Sequence, residues 1–227
     1  MNRQEVFDQL QRGDIFATTN PSLIGRLHHK LFRPRTTRFH YGILGEKVIH
    51  EKELDWVIFE SITKGTAVGR LSWYLNDDVE VYRIVVRDSD LAGYGLDAKS
   101  RDTIGFNFGV LASLEATNMG RRWYDYRLLA VILWKSLLAM ALHLWREGQV
   151  YVDYRDLRPI GGLDLACTEL VNECFKPYFP VIDERFLATP ANFKQSVLDG
   201  RLRTVAKWKP EEQLIPTPIL RTAAEPV

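Results

Sequence analysis

An α+β domain built on one antiparallel sheet is the fold class this sequence predicts, and three observations predict it. Between residues 39 and 86 apolar side chains recur with period two in short runs punctuated by Gly or by Asn-Asp-Asp. From residue 98 the pattern changes to helical spacing over much longer stretches. The chain has 227 residues, 46% of them hydrophobic and 26% charged, so one domain can bury its core without a disulfide or metal staple.

The elements follow in order. Arg3 to Leu10 sets Val6, Phe7 and Leu10 at helical spacing and stops before Gly13, a short amphipathic helix. Asp14 to Thr19 reads as a strand. Asn20-Pro21-Ser22 opens a second helix over 22–32, and Arg33 to Arg38 forms a basic loop. Five strands come next, Phe39–Leu44, Lys47–Glu51, Asp55–Ile62, Ala67–Leu71 and Val79–Val86, an antiparallel meander of the kind short turns permit. Helices are expected over Ala98–Asn118, Tyr126–Glu147 and Asp164–Phe175. Residues 1–206 form a single domain, with the helix near 126–147 as an insertion. Residues 207–227, which carry Pro210, Pro216, Pro218 and Pro226, form an extended tail.

Composition narrows function. Thirty Lys and Arg balance 29 Asp and Glu, which excludes a nucleic-acid binder acting through bulk charge. Six Trp exclude a solvated, disordered chain. The opening residues lack the apolar core of a secretory signal, so a cytoplasmic location is expected. Leu128 to Trp145 reads LLAVILWKSLLAMALHLW. Lys135 near its centre would cost about 2.5–3.5 kcal/mol in a spanning helix. The readings of 128–145 are a core helix with a broad apolar face, a helix lying on a membrane or a partner subunit, and, last, a spanning helix.

Cys167 and Cys174 are the only cysteines. Seven residues of helix separate them by about 10 Å, beyond disulfide reach, and two thiols make a cysteine-based zinc site poor. No metal and no organic cofactor is expected. Asp164 is a candidate N-cap, which places Cys167 in the first turn of its helix, where free N–H groups and the helix dipole favour a thiolate. Cys174 lies two turns further along, a packing residue. The plainer alternative is that both are small buried hydrophobes. A nucleophilic thiol needs an imidazole. Among five histidines, His28 and His29 lie on a basic helix, His143 sits inside the apolar stretch, and His50 ends a short strand. His40 begins a strand in Arg38-Phe39-His40-Tyr41-Gly42, with Gly42 leaving room beside it. Glu60, in Val57-Ile58-Phe59-Glu60-Ser61-Ile62, is a carboxylate in an apolar strand, costly unless paired. An imidazole N–H on a neighbouring strand would pair it.

These segments, in this order, resemble the permuted papain-fold group of the NlpC/P60 superfamily, in particular the YiiX/YebB-like proteins. Gly13-Asp14-Ile15 is similar to the family's GDI strand, Phe39-His40-Tyr41-Gly42-Ile43 to its SHVGI element, and Val57 to Ile62 with Gly65 to its VLEA…G strand. Gly120 to Tyr126, containing Tyr124-Asp125, resembles a G-x-x-YD element, and Ala166 to Val171 resembles CSELV, the nucleophile helix. The likeness spans roughly residues 10 to 200. Two departures stand out: Phe39 replaces the small residue before the histidine, and a long helix separates Asp125 from Ala166.

The resemblance implies a circularly permuted papain-like fold, an antiparallel β-sheet packed against helices, and a cysteine hydrolase acting on amides of peptides or peptidoglycan fragments. In that scheme Cys167 attacks, His40 moves the proton, Glu60 orients His40, and the Tyr124 hydroxyl joins the Cys167 N–H at the oxyanion. Lipid acyl hydrolysis or transfer by the same triad is the alternative, and a structural module of a larger assembly is a third. A wall substrate would be reached by another export route, by uptake of fragments or by delivery in a phage particle. His50 stands as an alternative orienter.

Overall fold

In a computed structural model, the described residues are 3–19, 38, 40–62, 65–92, 100–119, 130, 134, 137, 138, 141, 167–182 and 188–209. Six strands make one sheet: β1 (Ile15–Thr18), β2 (His40–His50), β3 (Glu53–Ile62), β4 (Gly65–Arg70), β5 (Val79–Ile84) and β6 (Leu202–Trp208). Every neighbouring pair is antiparallel, in the order β4-β3-β2-β1-β5-β6. The class is α+β, as the periodicity implies, but the sheet is not a simple meander. β1 inserts between β2 and β5, which explains why all four of its residues are buried.

Alternation along β1 divides the core. Ile15 and Ala17 face Tyr41, Ile43, Tyr82 and Ile84 on the side covered by helices. Phe16 faces Leu44, Ile58, Val79 and Val81 on the other side, under α1 (Arg3–Gln9), whose Val6 and Phe7 pack there with Leu10. The helices of the first side are α2 (Asp88–Ala92), α3 (Arg101–Asn118), α4 (Cys167–Phe175) and α5 (Pro190–Leu198). α5 is capped by Thr189, whose hydroxyl accepts from Asn192 N at 3.3 Å, with Pro190 in its first turn. Its Phe193 packs on Tyr41 with ring centroids 4.7 Å apart.

Several expectations need correcting. Phe39–Leu44 and Lys47–Glu51 do not form two strands: β2 runs unbroken through Gly45. One extra residue lies between the Leu44–Ile58 and Lys47–Trp56 pairs, so Gly45 marks a bulge rather than a turn. The reversal comes at Glu51-Lys52, both at positive φ (52° and 70°), in a two-residue hairpin that normally favours Asn or Gly. Arg38, the last residue of the basic loop, lies outside any helix or strand. It is buried, and its Nη2 donates to Asp78 Oδ1 at 2.8 Å and pairs with Glu80 Oε1 at 3.2 Å.

β6 departs from the sequence expectation, and its last residues, Lys207 and Trp208, lie within the expected extended tail. A register shift opposite Val81 and Tyr82 leaves Val205 as an extra residue. Leu202 and Ala206 therefore fall on opposite faces of the sheet, in the two separate core clusters. Period-two reading places them on one face and finds no strand. The expected helix at 22–32, most of 126–147 and the tail beyond 209 lie outside the described residues.

Candidate active site

Register brings the first two candidates together. Glu60 on β3 pairs with Gly42 on β2, and His40 lies two residues before Gly42, on the same face by alternation. A diagonal neighbour across two strands is within reach of long side chains. His40 Nε2 and Glu60 Oε2 meet at 2.5 Å, and both residues are buried. The space beside Gly42 is filled by the Phe16 ring, which stands edge-on to His40 at 5.9 Å. Behind Glu60, a Cβ on Gly69 would lie 2.7 Å from Oε1, so the absence of a side chain at 69 admits the carboxylate.

The third candidate comes from the other side of the sheet. α4 packs on β2 and β3, and Cys167, its first described residue, is buried and hydrogen-bonded to His40. Burial pulls the His40 pKa down, but hydrogen bonds to Cys167 and Glu60, together with their charges, overrule it and push the group up to about 10. An imidazole that holds a proton this firmly is a strong base toward a thiol.

Tyr74 is the residue that sequence reasoning missed. Its hydroxyl donates to Glu60 Oε2 at 2.5 Å and lies 3.4 Å from His40 Nε2, and its ring stacks on the imidazole at 5.9 Å. Burial first, then the charge of Glu60, raises its pKa, so Tyr74 is a neutral donor. It ends a 3-10 turn (Leu71–Tyr74) that Asp55 anchors: Ser72 Oγ donates to Asp55 Oδ2 at 2.6 Å and Ser72 N to Oδ1 at 3.1 Å. Trp208 Nε1 on β6 donates to the Tyr74 carbonyl at 3.3 Å. Nothing in Ser72-Trp73-Tyr74 marks this role locally; only the fold of β4 and β6 around it does. Asp77 is near enough for the His40 charge to oppose, incompletely, the rise that burial imposes on its pKa.

The remaining candidates separate cleanly. His50 is not the orienter: it ends β2, ten residues beyond His40 and about 30 Å along an extended strand, and it pairs with Glu51 at 3.4 Å. Cys174 is buried, and its Sγ contacts Met119 Sδ at 3.8 Å. The two thiols are not joined in a disulfide. Tyr124, Asp164, His28, His29 and His143 lie outside the described residues. Among the described residues no cluster of His, Cys, Asp and Glu could hold a metal ion. No protein-family model matches the chain, and no curated protein matches it.

Proposed function

We propose that this protein is a cysteine-dependent hydrolase of amide bonds in peptides or peptidoglycan fragments, built on a circularly permuted papain-like fold. The observation that supports it best is the placement of His40 between Cys167 and Glu60, with the carboxylate at 2.5 Å from Nε2. The proton shared by Cys167 and His40 lies on the imidazole as the sulfur attacks the carbonyl carbon. The resulting oxyanion collapses to a thioester as His40 returns its proton to the leaving amine. Water, deprotonated by the same imidazole, then cleaves the thioester and regenerates the thiol. Glu60 fixes the tautomer and stabilises the imidazolium, and Tyr74 holds Glu60 in place.

A second reading, lipid acyl hydrolysis or transfer by the same triad, is favoured by the exposed apolar residues of the 128–145 stretch, Trp134, Leu137 and Leu138. A purely structural module would have no use for a buried thiol, imidazole and carboxylate in contact. The test is to incubate the protein with a peptidoglycan digest and with phospholipid, measuring new amines and free fatty acid. Amine release that disappears in Cys167→Ala supports the amidase. Fatty-acid release with the same dependence transfers the reading to lipid. Equal release by wild type and Cys167→Ala overturns both.

A further inference from the structure

Ala130, Trp134, Leu137, Leu138 and Ala141 are helical, and all five are solvent-exposed. Their spacing puts them on one helix face. Trp134 is 67% exposed, Leu138 48% and Leu137 41%. A helix in water turns such a stripe inward, and an apolar face left outside marks a surface awaiting a partner.

Charge identifies the partner. Between residues 121 and 147 the chain has Arg121, Arg122, Arg127, Lys135 and Arg146 against Asp125 and Glu147, although the chain as a whole is balanced at 30 to 29. Trp123, Tyr124 and Tyr126 precede the apolar stretch and Trp145 closes it. Basic and aromatic residues that bracket an apolar stretch in sequence are what the headgroup region of a bilayer accommodates. A second copy of the chain fits less well, because symmetric pairing of two such helices sets cationic segment against cationic segment in either orientation. α3 provides a contrast. It also exposes Phe106, Leu111 and Leu114, but Asp102 and Glu115 outnumber its one Arg, so it lacks that attraction.

We infer that the face carrying Trp134, Leu137 and Leu138 docks on an anionic phospholipid surface, lying in the interface. Lys135 within the stretch opposes a crossing. The inference is independent of the catalytic reading, since its readout is binding.

The test is sedimentation of the full-length chain with vesicles of phosphatidylcholine, with or without roughly one-third phosphatidylserine. The protein is expected to pellet at least about fivefold more with the anionic vesicles, and to be released when salt is raised from about 0.1 to about 0.5 M. The double variant Trp134→Glu/Leu138→Glu should stay in the supernatant while keeping the wild-type circular dichroism and melting temperature. No pelleting, equal pelleting with neutral vesicles, or undiminished pelleting of the variant overturns the inference. A lipid-free dimer that the same variant converts to monomer also overturns it, and assigns the face to a second copy.

Discussion

The two ends of β2 each carry a histidine next to a glutamate, and the two pairs have different chemistry. At one end His40 is buried, stacked on Tyr74 and joined to Glu60 and Cys167. At the other, the His50 side chain is 42% exposed and its partner Glu51 84% exposed, at 3.4 Å across a hairpin turn. Water screens the second pair, and holding two mobile side chains together offsets what Coulomb attraction remains. The first pair is buried away from solvent. α4 repeats the lesson with its two thiols: Cys167 meets an imidazole, Cys174 meets a thioether. Residue type nominates a catalytic group, and its surroundings decide whether the nomination stands.

Substitution should break the comparison most severely at Cys167. Cys167→Ala is expected to abolish substrate hydrolysis, whereas Cys174→Ala retains it. In the wild type, iodoacetamide at neutral pH should label Cys167 first, as peptide mass mapping of the two sites would show. Faster labelling of Cys174 would remove the basis for the nucleophile assignment. Next, His40→Ala should slow both labelling and hydrolysis by about 10²- to 10⁴-fold, the usual contribution of a positioned acid–base group. His50→Ala should leave both rates unchanged.

pH sharpens the contrast further. The His40 pKa rises from an ordinary 6.5 to about 10 on folding. Its contribution to stability is therefore full below about pH 6.5 and is lost as pH rises through about 10. Urea midpoints of wild type and His40→Gln should converge across that window, and a gap that widens with pH would contradict the buried ion pair. The alkaline limb of the hydrolysis profile should fall near pH 10, where His40 surrenders its proton, and Glu60→Gln should move it downward.

Smaller effects are expected at Tyr74 and at the exposed pair. Tyr74→Phe removes one hydrogen bond to a charged group, worth about 1.5–3 kcal/mol, and should slow hydrolysis roughly tenfold with the fold intact. A rate equal to wild type would limit Tyr74 to packing. Removing the Glu51 side chain should change the melting free energy by less than about 1 kcal/mol.

Much of this is legible in the sequence alone. Periodicity located β1, β3, β5, α1 and α3 to within a few residues, because amphipathic spacing is a local property. Glu60 was conspicuous because a carboxylate in an apolar strand demands a partner, and Cys167 because a helix N-terminus suits a thiolate. β6 stayed hidden because the Val205 bulge reverses the parity of its burial. The β2 hairpin stayed hidden because Glu51 and Lys52 adopt positive φ without a residue that signals it.

By itself, then, the sequence determined which segments are strands or helices over most of the described chain, and which side chains were worth testing as a triad. The tertiary structure decided the rest: that β1 lies between β2 and β5, that Glu60 rather than His50 meets His40, and that Tyr74 supports Glu60. The reason is one of range. Helix and strand propensities depend on neighbours a few residues away. Strand order, bulge parity and the partner of a buried charge depend on side chains that are distant along the chain and become neighbours only when the sheet has formed.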